Sequence, residues 1–447
     1  MIRGKIFSTM VSGFVLAASV ATTTEAASVL KFARAQAINW NGRAINTAPL
    51  MDFYKRQFFK GIWTTDSGLT KRGQELVEVL SAAGSDGLSP VDYLSGFPGK
   101  ASSLRGDDLS ALELFLSESA IKFARDLHGG RTTPAISEPD IVIARKKLDH
   151  VALLGSLDKN GVAKVMDRLR PQHEQYRLLR KALAQTSDAA RQRKIIINME
   201  RWRWLPRDLG SRHVLVNAAA FEMYTSEGGK VIDRRRVIVG EEYHKTPMFS
   251  DNIQLAEFNP TWTISRNIAA NEILPKLRKD PGYLAKRGYV IHTSWEPDAP
   301  AMNANSIDWQ SVSGKNFPYR IVQPAGPDNV LGVVKFLFPN RFNVYLHDTS
   351  SRQLFDKADR ALSHGCIRVE GPVDWAALLY KLDGTATRSQ IDGTIATGKT
   401  VQAKFRKPIP VHLGYFTLWA VENGKLNEFK DIYGRDKLVG NILFGRV

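Results

Sequence analysis

The segment Ser363-His364-Gly365-Cys366-Ile367-Arg368-Val369 contains the one cysteine among the 447 residues. His347 precedes it, in the stretch Tyr345-Leu346-His347-Asp348-Thr349. A lone thiol cannot form an intramolecular disulfide and makes a poor metal site by itself, whereas a thiol near an imidazole can attack a carbonyl carbon. A buried, inert cysteine is the ordinary alternative, but serine, glycine and arginine surround Cys366. These residue types favour nucleophilic chemistry.

Such a nucleophile needs a base, because a cysteine attacks as the thiolate and an unperturbed thiol has a pKa of about 8.5. We predict that His347 takes the thiol proton. Asp348 or a main-chain carbonyl would orient the second nitrogen of its ring. The other nearby histidine, His364, is so close to Cys366 in sequence that we expect its side chain to point away from the sulfur.

Attack on a carbonyl also creates an oxyanion, which hydrogen-bond donors must stabilise. The main-chain N–H groups of Gly365 and Cys366 are candidates, and a glycine lets a substrate approach closely. Side chains alternate along a strand, so Tyr345 and His347 share one face. The Tyr345 hydroxyl is therefore a further candidate donor.

The elements that must position these residues fall into two regions. Residues 30–186 show apolar side chains at helical spacing, and we see no catalytic constellation there. Short β-branched runs bounded by turns follow residue 193. We predict strands at 213–217, 236–240, 258–264, 332–338, 342–346, 400–405 and 411–421, with a helix at 373–382. His347 then ends a strand, Cys366 lies in a loop that begins another, and the fold class is α+β.

The first residues have the pattern of a secretory signal. Arg3 and Lys5 precede an apolar run at 10–21, and Thr24-Glu25-Ala26 has small residues at the cleavage positions. We predict a signal peptide over residues 1–26 and a periplasmic protein without a later membrane span. Structural cysteines come in pairs in oxidising compartments, so an exported protein with one thiol has another use for it.

The formal net charge is +17, a balance that often indicates nucleic-acid binding. The basic residues are spread along the chain, however, and Arg234-Arg235-Arg236 is the one tight cluster. That cluster follows a strand-like run and is typical of a solvated hairpin edge. We therefore expect no nucleic-acid partner and favour an acidic polymer such as the cell wall.

The cysteine segment together with His347 resembles the signature of the L,D-transpeptidases, bacterial cell-wall enzymes with a YkuD-type catalytic domain. Further stretches resemble the large YcbB-like branch, namely Asn198-Met199-Glu200-Arg201-Trp202-Arg203-Trp204-Leu205-Pro206, Phe317-Pro318-Tyr319-Arg320, Gly332-Val333-Val334-Lys335-Phe336 and Asp431-Ile432-Tyr433-Gly434-Arg435-Asp436. The resemblance implies an all-α scaffold domain over residues 27–193 and a mostly-β sandwich catalytic domain over 194–447. Residues 267–319 resemble a substrate-capping insertion.

The resemblance also implies an activity. Cys366 would attack the bond between diaminopimelate and D-alanine of a tetrapeptide stem, release D-alanine and pass the acyl group to an amine of another stem, giving a 3→3 cross-link. Cys366 matches the nucleophile and His347 the proton donor and acceptor. Ser363, His364, Gly365 and Arg368 match the rest of the signature, with Arg368 fixing the loop or meeting a substrate carboxylate. The resemblance implies susceptibility to carbapenems, and we expect neither a cofactor nor a metal.

Two departures from the family pattern stand out. Only residues 185–194 separate the two regions, so the small peptidoglycan-binding domain often found there is missing, and Ser350 stands where proline is expected. Three other outcomes stay open at this point. The same acyl-enzyme could be resolved by water, as in an L,D-carboxypeptidase, or by an amine of an envelope protein. A non-catalytic wall-binding scaffold is disfavoured by the complete cysteine and histidine signature.

Overall fold

The computed structural model describes residues 36–445 apart from 67, 133–137, 145 and 422–424, and in addition Val29 and Phe32. The predicted signal peptide, residues 1–26, lies outside the described residues. The chain forms two compact units, the first from Met1–Gly84, Leu88–Arg125 and Lys147–Leu169, the second from Ser85–Gly87, Asp126–Lys146 and Arg170–Val447. These units interleave along the chain, and the domain limits expected from the sequence stay predictions.

The first unit is mostly helical, as the apolar spacing predicts. Its helices are α1 (Met51–Arg56), α2 (Lys71–Ser81), α3 (Val91–Leu94), α4 (Asp107–Gly129), α5 (His150–Asn160) and α6 (Val162–Leu169). Two short hairpins add to them, β1 (Ala37–Trp40) with β2 (Arg43–Asn46), and β3 (Thr64–Thr65) with β4 (Gly68–Leu69). Among the described residues, no helix is both long and apolar enough to cross a membrane.

A buried carboxylate ties the first unit together. Glu113 of α4 accepts hydrogen bonds from the main-chain N–H groups of Ile62, Trp63 and Thr64 and from the Tyr54 hydroxyl, at 2.7–2.9 Å. A buried carboxylate is costly unless donors surround it. Burial raises the pKa of Glu113 even with these donors present, so the cluster fixes the chain entering β3 against α4.

The second unit is rich in strands. The strands are β5 (Arg212–Asn217), β6 (Glu222–Glu227), β7 (Lys230–Gly240), β8 (Phe249–Phe258), β9 (Trp262–Thr263), β10 (Val290–His292), β11 (Ala301–Met302), β12 (Arg320–Gln323), β13 (Val334–Leu337), β14 (Leu346–His347), β15 (Ala361–Ser363), β16 (Ile367–Val369), β17 (Val401–Gly414), β18 (Leu418–Ala420) and β19 (Leu426–Glu428). The helices are α7 (Glu174–Gln185), α8 (Ala189–Trp204), α9 (Arg266–Ile268), α10 (Leu274–Lys279), α11 (Pro372–Asp383), α12 (Arg388–Ala396) and α13 (Arg435–Phe444).

The main sheet has the strand order β15-β7-β16-β14-β13-β8-β17-β5-β6, and β6 pairs with β7 as well. One end of the order, β6, therefore meets β7, which stands next to the other end, and the sheet curls around one apolar core. Alternate residues of its strands fill that core, and α11 adds Trp375 and Leu379. The α+β class predicted from the sequence is confirmed, with a helical region first and a strand-rich domain after it.

Residues between β8 and β13 form a small subdomain. Its sheet has the order β11-β10-β12-β9, and α9 runs through a π-helical turn (Ala269–Ile273) into α10. Trp309, Phe317 and neighbouring apolar residues form its own core. The two flanking strands pair with each other, Val334 opposite Phe258, and the next residue, Lys335, lies opposite His347. The subdomain thus leaves the main sheet beside β14.

Three strand predictions need correction. Of residues 342–346 only the end is a strand, β14 (Leu346–His347), because Asn343 has a left-handed φ of +52°. Residues 411–421 divide between β17 and β18. Residues 258–264 are not one strand, because Asn259 has a left-handed φ of +48° that ends β8, and Trp262–Thr263 pairs within the small subdomain. Within the small subdomain, Trp309 is buried in the core, and the partly buried Trp295 packs against that core and donates its indole N–H to the Phe317 oxygen.

Candidate active site

The cysteine loop joins β15 to β16 and is shaped by Ser363. The Ser363 hydroxyl donates to the Cys366 main-chain oxygen at 2.6 Å and accepts from the Gly365 N–H at 3.1 Å. Gly365 has a φ of +107°, a conformation that only glycine adopts at low cost. The Gly365 N–H, proposed from the sequence as an oxyanion donor, is thus engaged within the loop, and the Cys366 N–H is the remaining candidate of the two.

A neighbouring segment, residues 240–246, holds this loop in place. The Thr246 hydroxyl donates to the Gly365 oxygen at 2.9 Å and accepts from the Gly240 N–H at 2.9 Å. The Glu241 N–H donates to the Ser363 oxygen at 2.9 Å. A Cβ on Gly240 would lie 2.0 Å from the His244 oxygen, so only glycine fits there. Sequence reasoning missed Gly240 and Thr246, and only the glycine, at the end of a β-branched run, carried a signal.

Tyr345 and His347 lie on the strand next to the cysteine. β14 runs parallel to β16, with Leu346 opposite Ile367 and His347 opposite Arg368. Leu346 and Ile367 point into the core. By alternation, His347 and Arg368 lie on the opposite face, and so do Tyr345 and Cys366, which directly precede the two strands. The rings of Tyr345 and His347 are 5.5 Å apart, centroid to centroid. The predicted sharing of a face by these two side chains is confirmed.

The Cys366 side chain is partly buried and carries its proton at rest. Its Sγ donates to the Asn343 main-chain oxygen at 3.8 Å. Burial raises the pKa of the thiol, while the N–H and hydroxyl of Tyr345 and the positive charges of Arg368 and Lys335 act to lower it. The thiolate therefore forms only when a base removes the proton, and the donors that would stabilise it are already in place.

His347 is buried and neutral. Its Nδ1 lies 2.5 Å from the Asp348 main-chain oxygen. A carbonyl can only accept, so Nδ1 holds the proton and Nε2 has a free lone pair. Burial and the charges of Arg368 and Lys335 lower the pKa of His347 to about 3. The ring is thus a neutral acceptor, oriented by a main-chain carbonyl, which is one of the two arrangements left open by the sequence.

The Asp348 carboxylate has a different task. It accepts from the Val333 N–H at 3.0 Å and pairs with Arg352 at 3.3 Å. Gly332, with φ +60°, packs against it so closely that a Cβ would lie 2.2 Å from the carboxylate oxygen. The carboxylate thus anchors the strand end that carries His347 and does not touch the imidazole Nδ1.

Arg368 is a partly buried cation with an open donor. Its Nε is buried without a hydrogen-bond partner, and burial lowers the pKa of the guanidinium, whereas negative charge on an ionised Cys366 acts to raise it. An unpaired buried donor costs free energy, so this arrangement is typical of a site that receives an anion.

His364 faces the small subdomain. Its Nε2 lies 2.8 Å from the Glu272 carboxylate, and its ring centroid is 4.8 Å from that of His244. The hydrogen-bond and electrostatic partners described for the sulfur are Asn343, Tyr345, Arg368 and Lys335, and His364 is not one of them. Glu272, which sequence reasoning missed, lies in the π-helical turn and had no signal in the sequence.

Comparison with known proteins gives two family matches. Residues 48–183 match the Scaffold domain, and residues 211–401 match the L,D-transpeptidase catalytic domain, YkuD. A provisionally named L,D-transpeptidase of Haemophilus influenzae is 32% identical over 296 residues, covering 65% of this chain and 59% of that protein. The match therefore spans less than two thirds of the relative.

Solved structures show a looser likeness. An L,D-transpeptidase from Mycobacterium smegmatis is 13% identical with a TM-score of 0.23, over 45% of this chain and 58% of the other. An Enterococcus faecium L,D-transpeptidase is also 13% identical, with a TM-score of 0.20 over 46% and 50% of the two chains. Scores this low carry no weight beside the two family matches and the H. influenzae relative. By those matches, residues 211–401 are an L,D-transpeptidase catalytic domain of the YkuD family and residues 48–183 are a Scaffold domain.

Proposed function

We propose that Cys366 forms a thioester with the third residue of a peptidoglycan stem peptide. The thiol sulfur attacks the carbonyl carbon between diaminopimelate and D-alanine, the peptide C–N bond breaks, and D-alanine leaves. An amine of a second stem then attacks the thioester, forms an amide and regenerates the thiol. The observation that carries this proposal is a partly buried, protonated thiol on a rigid loop, with donors of Tyr345 directed at it.

His347 is the proposed carrier of the proton. Its free Nε2 can accept the thiol proton and give it to the leaving amine, because the Asp348 oxygen keeps the other proton on Nδ1. A depressed pKa makes it a weak base for a free thiol. Proton transfer therefore becomes favourable only as the sulfur attacks the bound substrate. At that point the oxyanion donors stabilise the negative charge that forms on the carbonyl oxygen.

Arg368 is the proposed contact for a substrate carboxylate. Both the diaminopimelate side chain and the terminal D-alanine carry one. The Arg368 guanidinium shares the sheet face of Cys366 and has a buried Nε without a partner. A loop-fixing role, the other interpretation from the sequence, receives less support because no side-chain hydrogen bond of Arg368 occurs among the described residues.

Two alternative reactions share the first step, the formation of the thioester on Cys366. Transfer to water gives an L,D-carboxypeptidase, and transfer to a protein amine anchors an envelope protein to the wall. We place the reaction in the periplasm on the strength of the leader-like residues 1–26. We favour stem cross-linking because the small subdomain leaves the sheet beside His347 and its Glu272 contacts the cysteine loop, where it can exclude water.

The deciding experiment is mass spectrometry of muropeptides from cells with and without the gene, complemented by wild type or Cys366→Ala. We expect 3→3 dimers that depend on Cys366. Shortened tripeptides alone would assign a carboxypeptidase, and a peptide of an envelope protein on a stem would assign anchoring. An unchanged muropeptide profile would contradict all three.

A further inference from the structure

A second group of chemically versatile side chains lies beside the cysteine loop. Glu241, His244 and His364 each direct one possible metal-binding atom into a common space, with these atoms all within 4.8 Å of one another. Glu241 and His244 belong to the segment after β7, whereas His364 comes from the cysteine loop. The reaction proposed above uses none of the three as a proton carrier.

The hydrogen bonds of the two rings leave lone pairs free for a metal. His364 Nε2 contacts the Glu272 carboxylate at 2.8 Å, so in the neutral ring Nε2 holds the proton and Nδ1 is free. His244 Nδ1 contacts the Glu241 carboxylate at 2.9 Å, a hydrogen bond that is given up when Glu241 and His244 turn to bind the same ion. A carboxylate behind a histidine ring is the usual outer partner of a metal-binding histidine, and Glu272 has that position.

The backbone holds this group before any ion arrives. The Glu241 N–H donates to the Ser363 oxygen and the His244 N–H to the Glu241 oxygen, at 2.9 and 3.0 Å. The close approach of Gly240 to the His244 oxygen allows little freedom there. The side chains of Glu241, His244 and His364 are 47%, 38% and 41% exposed, so an ion can reach them from solvent. A preformed and open site keeps the cost of binding low.

We infer that Glu241, His244 and His364 bind a divalent transition metal of the zinc class, with Glu272 orienting His364 and water in the fourth position. Two imidazoles and one carboxylate are a common donor set for Zn²⁺. Tetrahedral bonds of about 2.0–2.1 Å set the donors roughly 3.4 Å apart, which rotation of the exposed side chains supplies. The ion would cross-link the cysteine loop to residues 241–244. The sequence alone predicts no metal, because the donors come together only through the pairing of β7 with β15 and β16.

The test is Zn²⁺ titration of the full chain in a Cys366→Ser background, which removes the thiol as a ligand. Affinity is measured by competition with a chelating dye, and donor type by the spectrum of bound Co²⁺. We expect binding in this background, a Co²⁺ spectrum without sulfur charge transfer, and at least a tenfold loss of affinity in His244→Gln and in Glu241→Gln. His150→Gln, which removes a histidine far along the chain, should bind as the background does.

Thermal melts without metal show whether each variant is folded, and the Co²⁺ spectrum reports on the ligands whether or not the enzyme is active. Binding that disappears with the thiol would assign the ion to Cys366 and overturn the inference. Equal affinity in His244→Gln, Glu241→Gln and His150→Gln, or no binding by the background protein, would overturn it as well. None of these results depends on the proposed acyl transfer.

Discussion

At the scale of single residues, the position of one proton defines what the site can do. His347 keeps a proton on Nδ1 through the Asp348 oxygen, and Cys366 keeps its own because burial outweighs the donors around it. The pair is therefore neutral at rest, unlike a cysteine beside a charged imidazole. In the proposed mechanism, activity depends on moving the thiol proton to Nε2 as the substrate binds, which leads to two predictions.

The first prediction concerns His347. His347→Ala should slow acylation of Cys366 by a β-lactam by about 10²–10⁴-fold, because it removes the imidazole that is proposed to take the thiol proton. Stopped-flow acylation measures this rate. His364→Ala is the matched control, since its ring faces Glu272, and it should act through loop stability seen in melting curves. Normal acylation by His347→Ala, with a slow but stable His364→Ala, would reverse the two roles.

The second prediction concerns Arg368. Arg368→Gln should lower kcat/KM for a tetrapeptide stem by about 10- to 100-fold, the worth of a charge-assisted hydrogen bond. The loss should shrink when the contacted carboxylate is replaced by a carboxamide, tested separately on diaminopimelate and on D-alanine. Arg388→Gln, at an exposed surface pair, is the control. Equal losses on all substrates would mean that Arg368 acts on the thiol and not on a carboxylate.

At the scale of elements, the strand pattern predicted much of the site. A period-two run before His347 was enough to put Tyr345 and His347 on one face, and the loop character of 364–366 follows from its glycine. The contacts of Thr246 and Glu272 could not be predicted, because they depend on which strands become neighbours. The prediction of one strand at 258–264 was wrong for a local reason. Asn259 has a left-handed φ that ends β8, and a sequence rich in strand-forming residues gives no sign of it.

The third prediction belongs to this scale. Gly332→Ala forces a side chain into a left-handed conformation, which costs about 1–2 kcal/mol, and presses its Cβ on Asp348. We expect a lower free energy of unfolding and slower acylation, since Asp348 anchors His347. Gly326→Ala meets nothing within 4 Å and should change stability by less than about 0.5 kcal/mol. Denaturant titration of both variants provides the comparison, and equal stability would contradict the packing argument.

At the scale of the whole molecule, the excess positive charge is spread along the chain, and part of it is neutralised in ion pairs. Arg234, Arg235 and Arg236 lie in β7 and form ion pairs with Glu222, Asp233 and Glu370. The one tight basic cluster of the sequence is therefore occupied within the protein and is no free phosphate track. The remaining positive charge is compatible with an acidic wall polymer as partner, and both that partner and export stay proposals.

The fourth prediction concerns pH and stability. Burial lowers the pKa of His347 to about 3 and of His412 to about 4, whereas the unfolded chain titrates near 6.5. Below about pH 6.5 the unfolded state therefore binds more protons than the folded state, so the free energy of unfolding decreases as the pH is lowered. Each histidine contributes up to about 1.4 kcal/mol per pH unit. Urea unfolding at pH 7 and pH 5 should show this loss, and His412→Gln should reduce the slope. A flat profile would contradict the burial of these rings.

The most direct test of acyl transfer is intact-protein mass spectrometry after acid quenching, with a tetrapeptide stem and no acceptor amine. The wild-type protein should gain the mass of the tripeptide acyl group on the peptide that contains Cys366, with one D-alanine released for each enzyme acylated. Cys366→Ala should melt normally, gain no mass and release no D-alanine. A tripeptide adduct or D-alanine release with Cys366→Ala, or none with the wild type, would contradict the assignment of Cys366 as the nucleophile.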